Sequence, residues 1–223
     1  KGITPTTLVA DEPIFVPADT PGGKDWSPKN YDGKYDGPML LKEGLAKSKN
    51  MVSIRVLQEI TPQYGQRWAT QFGFPAANVP PYLTMALGAV TTNPLQMASA
   101  FAVFANSGYR VKPYLIEKIT DGTGRIVARA RPAVAGEEAN RVIDARNAFL
   151  TTRLLREVVE RGTATRAKVL NRGDIVGKTG TTNDSHDAWF AGYNSDISAV
   201  AWVGYDQPRN LGARETGGGL ALP

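Results

Sequence analysis

The sequence predicts an α+β fold. Helical stripes of apolar residues occupy the stretch from Met39 to Arg161. Three strand patterns then come one after another from Ile175 to Tyr205, and the last pairs are joined by turns too short for a helical crossover. Helices first and consecutive strands last describe helices packed on an antiparallel sheet, not alternating βαβ units.

Each element has its own signal. Residues 1–38 are rich in Pro, Gly and Asp, as in Val16-Pro17-Ala18-Asp19-Thr20-Pro21-Gly22-Gly23, and read as extended chain and turns. Ile14, Phe15, Val16 and Trp26 make this stretch too apolar for a free linker, so it is expected to lie across a larger body. Leu40, Leu41 and Leu45, then Met51, Val52, Ile54, Val56, Leu57 and Ile60, predict two short helices with a break at Lys47-Ser48-Lys49-Asn50. Thr61-Pro62 sets a cap before Pro at the first helical position, so a helix should run to about Gln71. Asn93-Pro94 starts another, with Leu95, Met97, Ala98, Phe101, Ala102 and Ala105 as its core stripe and Ser107-Gly108 as its stop. Val111 to Thr120 and Arg125 to Ala128 read as a hairpin around Asp121-Gly122-Thr123-Gly124. Val142 to Arg161 is the longest helical pattern, with Phe149, Leu150, Leu154, Leu155, Val158 and Val159 on its apolar side. The strands are Ile175 to Thr182, Ala188 to Tyr193 and Ile197 to Tyr205.

Bulk properties narrow the chemistry. The chain of 223 residues carries a net charge of +5, but its Lys and Arg are scattered and form no run of five. That speaks against a nucleic-acid partner and for an ordinary solvated surface. No apolar run approaches the roughly 18 residues of a membrane span, so the chain itself reads as soluble. Cysteine is absent, which removes disulfides, thiolate metal sites and a Cys nucleophile, and is compatible with an oxidising compartment. The single histidine, His186, sits in the polar run Asn183-Asp184-Ser185-His186-Asp187 and reads as an exposed loop residue. No cofactor or metal is implied. The chain opens on Lys1-Gly2-Ile3 without Met, as an excised piece of a longer protein would.

Two chemistries compete for Gly173 to Tyr193. Gly177-Lys178-Thr179 ends like a phosphate loop, but that loop needs a Gly five residues before its Gly-Lys, and Arg172 stands there. Gly180 to Ser185 is also a poor helix start, and without a helix no N-terminus faces the phosphate. The other reading is a strand, Ile175 to Thr182. Alternation puts Lys178, Gly180 and Thr182 on one face and Thr179 and Thr181 on the other. Such a strand offers an ammonium, hydroxyls that grip a carboxylate, a Gly that admits a substrate backbone, and a backbone N–H near Thr181 as an oxyanion donor. An ordinary strand with an exposed Lys would look the same. Upstream, Ser48-Lys49-Asn50 is a Ser-x-Asn at a helix break, although Ser and Asn there also serve as caps or turn residues.

Lys178-Thr179-Gly180 after Ser48-Lys49-Asn50 gives two of the three elements of the Ser-x-x-Lys, Ser-Asp-Asn, Lys-Thr-Gly set, with Lys49 where that set has Asp. Tyr35-Asp36-Gly37-Pro38, Gly44 to Asn50, Leu87-Gly88, Pro94-Leu95-Gln96-Met97-Ala98, Ala105-Asn106-Ser107-Gly108, Gly162-Thr163-Ala164 and Lys178 to Asp184 before Asp187-Ala188-Trp189-Phe190-Ala191-Gly192-Tyr193 extend the pattern. Nearly the whole chain resembles the transpeptidase domain of class A, bifunctional penicillin-binding proteins of the Gram-negative 1A type. The resemblance implies a penicillin-binding protein/serine β-lactamase-like α+β fold, of which residues 1–223 would be the C-terminal part, the N-terminal part missing.

No Ser in the chain has Lys three positions later. The resemblance therefore implies an upstream segment of the parent chain carrying Ser-x-x-Lys, and a 223-residue chain inactive by itself. The implied activity is peptidoglycan cross-linking. An acyl-serine forms from a D-Ala-D-Ala stem peptide, terminal D-Ala leaves, and a neighbouring amine takes the acyl group; β-lactam antibiotics stall that intermediate. By the same resemblance Ser48 relays a proton, Asn50 holds the absent Lys and a substrate amide, and Lys178 holds Ser48 and attracts the substrate carboxylate. Thr179, Gly180, Thr181 and Thr182 line the substrate strand, and the Thr181 N–H is half of the oxyanion hole. The parent would sit at the periplasmic face of the bacterial inner membrane, its anchor outside this chain. Two alternatives stay open: a non-catalytic scaffold that holds stem peptides, and a β-lactam-hydrolysing relative. For the latter, Glu137-Glu138-Ala139-Asn140 supplies a Glu-x-x-Asn, but it reads better as a solvated acidic lead-in to the long helix.

Overall fold

A computed structural model describes residues 2–18, 23–212 and 215–223. Of the Pro/Gly-rich run Val16–Gly23, residues 19–22 lie outside the described residues. The element order is β1 (Leu8–Asp11), β2 (Gly37–Leu40), α1 (Leu41–Ala46), α2 (Asn50–Ile60), α3 (Pro62–Gln71), α4 (Pro94–Ala105), β3 (Lys118–Thr120), β4 (Ile126–Arg129), α5 (Ala145–Arg161), β5 (Val176–Thr181), β6 (Asp187–Tyr193) and β7 (Ser198–Gly204). β5-β6-β7 form an antiparallel sheet with β5 at one edge, while β1-β2 and β3-β4 are separate antiparallel pairs.

The apolar patterns fold as helices where their ends are capped. Thr61 accepts from the Tyr64 N–H ahead of Pro62, and Asn93 accepts from the Gln96 N–H ahead of Pro94. α5 starts at Ala145, three residues after the sequence expectation, because the Asp144 carboxylate accepts from the Arg146 N–H and fixes the N-terminus there. Glu137 and Glu138 are therefore not the acids at that helix end. Glu138 pairs with Arg141, and Glu137 accepts from its own Asn140, exposed.

Among the described residues, four small apolar clusters make the core. Ile14 packs with Met51 and Ile54, Val103 with Ile143 and Ala148, Leu155 with Val176 and Tyr193, and Val158 and Val159 with Ala164 and Ala167. Burying a side chain such as Val158 or Leu155 stabilises by about 1.5–3 kcal/mol. The N-terminal stretch does lie across the body, with Ile14 as its buried anchor. Several expectations need correction. Leu40, expected in the first short helix, ends β2 instead, and α1 starts at Leu41. Leu95 on α4 and Phe149 and Leu150 on α5 are exposed, the buried faces being Ala100 with Val103 and Ala148 with Leu155, Val158 and Val159. The strand expected from Val111 shrinks to Lys118–Thr120, since Pro113 can donate nothing to a ladder. His186 is half-buried rather than exposed.

Candidate active site

The site begins with two close approaches between helices. A Cβ on Gly44 would lie 2.6 Å from Val52 Cγ1, so Gly lets α1 and α2 close on the turn that joins them. A Cβ on Gly162 would lie 2.1 Å from the Ala46 carbonyl oxygen, and the next N–H, of Thr163, donates to that same oxygen at 3.2 Å. The end of α5 is thus fastened to the end of α1, two residues before Ser48.

Ser48 adopts φ 56°, left-handed for a residue with a Cβ. Such backbone costs on the order of 1–3 kcal/mol and persists only where its surroundings enforce it. The turn is closed by Lys47 N–H to the Glu43 carbonyl, Ser48 N–H to Leu45 and Lys49 N–H to Gly44. Ser48 is not the cap of α2. The N-cap position is Lys49, which makes no side-chain cap bond. The missing cap comes from Asn30, whose Oδ1 accepts from the N–H of Asn50 at 2.8 Å and of Met51 at 3.4 Å. Asn50 opens α2, and its side-chain Nδ2 donates to the Lys29 carbonyl at 2.7 Å.

β5 brings Lys178 to this turn. Its Nζ donates to Ser48 Oγ at 2.7 Å and to the Thr179 carbonyl at 2.9 Å. The residue as a whole is only partly covered, but its ammonium end lies among packed protein, and burial pushes its pKa down to about 8. No carboxylate among the described residues forms an ion pair with it. The other face of β5 carries the threonines, as alternation requires. The Thr179 and Thr163 hydroxyls meet at 2.5 Å, and Thr181 Oγ1 accepts from the Gly217 N–H at 3.1 Å. Gly217 lies flat on the sheet, where a Cβ would come within 2.3 Å of the Gly180 carbonyl oxygen. Thr182 lies past the strand end, and its hydroxyl accepts from the Asp187 N–H at 2.8 Å, closing the β5–β6 turn. The Thr182 N–H donates to the Asp187 carbonyl, so the N–H of the preceding Thr181 points the opposite way, off the free edge of β5. After β5 the chain makes only a short 3₁₀ turn at Asn183–Ser185, so the phosphate-loop geometry is absent.

The structure therefore joins Ser48 to Lys178 across 130 residues of sequence and puts Thr179, Gly180 and Thr181 on one edge strand. Asn50 and Thr182 have side-chain groups engaged by the scaffold. Sequence reasoning assigned no role to Thr163, Gly217 or Asn30. Gly162-Thr163 carried a usable signal, a Gly at the end of a long helix followed by a hydroxyl, but nothing local tells that Thr163 meets Thr179.

A partly covered lysine is thus clamped to a serine beside an edge strand. The family model described as "Penicillin binding protein transpeptidase domain" matches residues 2–216, and the chain belongs to that family. It is 47% identical over its full 223 residues to penicillin-binding protein 1A of Neisseria lactamica, and spans 28% of that protein's length. Its fold matches the crystal structure of penicillin-binding protein 1A from Haemophilus influenzae with a TM-score of 0.92 at 36% identity, covering 100% of this chain and 38% of that one. It also matches the PonA1 protein from Mycobacterium tuberculosis in complex with penicillin V, with a TM-score of 0.77 at 26% identity, covering 98% of this chain and 61% of that one. The penicillin-binding protein α+β fold is thereby shown.

Proposed function

We propose that the full-length protein is a serine-type D-Ala-D-Ala transpeptidase that cross-links peptidoglycan stem peptides and is acylated by β-lactams. Residues 1–223 form the C-terminal part of its transpeptidase domain. The observation that carries this reading is the 2.7 Å contact from Lys178 to Ser48, made beside an edge strand in a chain of this family. The nucleophile and its lysine come from a Ser-x-x-Lys elsewhere in the protein. The relatives' greater length leaves room for it, and one solved relative is a penicillin complex.

Ser48 passes a proton toward the leaving nitrogen, and Lys178 orients its hydroxyl. The same ammonium attracts the terminal carboxylate of the stem peptide. Two unit charges about 4 Å apart attract by roughly 4 kcal/mol at an effective dielectric near 20. Thr179 and Thr181 bind that carboxylate, which displaces their present partners Thr163 and Gly217. The Thr181 N–H, free on the strand edge, donates to the oxyanion; losing one such donor typically costs about 100- to 1,000-fold in rate. Asn50 turns its amide oxygen to the catalytic Lys while its Nδ2 stays on Lys29. The full-length protein acts at the periplasmic face of the inner membrane. No helix among the described residues is long and apolar enough to cross a membrane.

Penicillin labelling of the full-length protein, digestion and mass spectrometry test the assignment. An adduct on a Ser-x-x-Lys serine outside residues 1–223, and none on the isolated chain, is expected. No adduct anywhere leaves a scaffold that holds stem peptides. Rapid release of hydrolysed penicillin in a chase would mark a β-lactamase instead.

A further inference from the structure

The turn that carries Ser48 is fastened by a charge cluster on the side away from β5. Lys49 is among the few buried charged residues, with its side chain 4% exposed. Its Nζ lies 3.4 Å from Asp11 Oδ2, 3.2 Å from Asp32 Oδ2 and 3.4 Å from Asp36 Oδ2, and donates to the Lys34 carbonyl at 3.3 Å. Asp11, fully buried at the end of β1, spends its other oxygen on Asn30 Nδ2 at 2.7 Å and also accepts from the Asp36 N–H at 2.9 Å. Asn30 donates its second N–H to the Lys34 carbonyl and accepts from the first two N–H groups of α2. Both side-chain polar groups of Asn30 are thereby fully engaged. Lys47 adds a second cation at 3.2 Å from Asp36.

This cluster explains the departure of Ser48-Lys49-Asn50 from the Ser-Asp-Asn form. An Asp at position 49 would project into three carboxylates, whereas a Lys satisfies them. Ser48 and Lys49 are neighbours, and one reaches β5 while the other reaches β1 and the loop before β2. The turn between α1 and α2 is stretched between these two anchors, and Ser48 takes up the left-handed backbone. We propose that Lys49, caged by Asp11, Asp32 and Asp36, with Asn30 as the cap of α2, is the positioning residue that holds Ser48 Oγ at Lys178 Nζ. This rests on the transpeptidase reading above. Lys49 itself touches no reacting atom.

The test uses the full-length protein and a fluorescent penicillin. Lys49→Met should lower the acylation rate constant at saturating drug by about 100-fold, the penalty of a misplaced catalytic group, while the non-covalent dissociation constant changes little. Among the described residues, Lys178 Nζ donates to the Ser48 hydroxyl and the Thr179 carbonyl and pairs with no carboxylate; in the full-length protein the Ser-x-x-Lys lysine is the charged group expected to face it. Loosening the turn admits water there, so the basic limb of the acylation pH profile should move up from near pH 8 toward the ordinary lysine range. Val103→Ala, a cavity in α4 outside the site, controls for lost stability and should leave rate constant and limb in place. Where Lys49→Met does not fold, the pair Lys49→Met with Asp11→Asn removes both deeply buried charges together and carries the same expectation. Wild-type protein that takes no penicillin overturns the transpeptidase reading and this one with it. Labelled wild type with Lys49→Met acylated at the wild-type rate overturns the positioning role alone, as does Val103→Ala reproducing both effects.

Discussion

Two lysines with covered ammonium groups lie on either side of one turn, and they are held in opposite ways. Around Lys49 burial alone would push the pKa down, but Asp32 and Asp11 more than reverse it, and the group titrates above the ordinary lysine value. Around Lys178 burial acts unopposed and brings the pKa to about 8. Burial by itself does not distinguish a structural cation from a working one. The counter-charge does. A lysine already surrounded by carboxylates has no attraction left for a ligand, whereas one held by a hydroxyl and a carbonyl keeps its charge for a carboxylate that arrives later.

The largest expected effect comes from removing Lys178, the cation proposed to act on the substrate. Lys178→Met should slow penicillin acylation of the full-length protein by about 1,000-fold, the upper range for losing one preorganised electrostatic contact. The same change should leave the fold intact or raise its stability. Lys178 has its folded pKa below the ordinary 10.5, so the unfolded chain holds more protons between about 8 and 10.5. Its charged form therefore costs stability below pH 8, at most about 3–4 kcal/mol for a shift of that size, and the cost fades as pH rises through that window. Melting curves of wild type and Lys178→Met should accordingly differ at pH 7 and converge at high pH. A clear loss of stability at pH 7 would show that Lys178 is as structural as Lys49. In the same window, affinity for a carboxylate-bearing β-lactam should fall as pH rises through 8, which a titration of non-covalent binding reads directly.

Asp11→Asn comes next. It strips the most buried carboxylate from Lys49 and leaves a covered ammonium with two half-exposed partners. Breaking a buried pair in this way typically costs about 3–5 kcal/mol, here toward the low end because Asp32 and Asp36 remain. Urea denaturation measures it. A loss under about 1 kcal/mol would mean that the cluster is no stronger than a surface network.

The contrast between the two lysines was only half legible in the sequence. The sheet, its antiparallel order and α1 to α4 come from period, caps and turn residues, which act over a few positions. Lys178 was legible as a strand lysine next to Gly180, and its pairing with Ser48 came only from family resemblance. In the sequence Lys49 stands out only as a departure from the Ser-Asp-Asn form of the motif. Its partners are 38, 17 and 13 positions upstream, in a stretch that looked like turns, and no local pattern announces that β1 and the loop before β2 converge on it. Thr163 was missed for the same reason. The exposure of Leu95 and Phe149 shows the converse limit, since helical spacing marks an apolar stripe without telling which edge of it finds a neighbour.

The smallest effect tests the rim of the cage. Asp32 has its side chain 50% exposed, so its pair with Lys49 is partly screened by water and should be worth about 0.5–1 kcal/mol, in the range of exposed ion pairs. The Lys34 N–H, donating at 3.0 Å, holds the Asp32 carboxyl below its usual value, with Lys49 helping. Because the folded value is the depressed one, the contribution is complete at neutral pH and disappears as pH falls through that folded value. Denaturation of Asp32→Asn and wild type should thus show a small gap at pH 7 that closes in acid. A gap that persists in acid would assign the effect of Asp32 to loop shape rather than to charge. The electrostatic part of the cage would then rest on Asp11 and Asp36, with Asp11 the one fully removed from solvent and therefore the one whose charge water cannot replace.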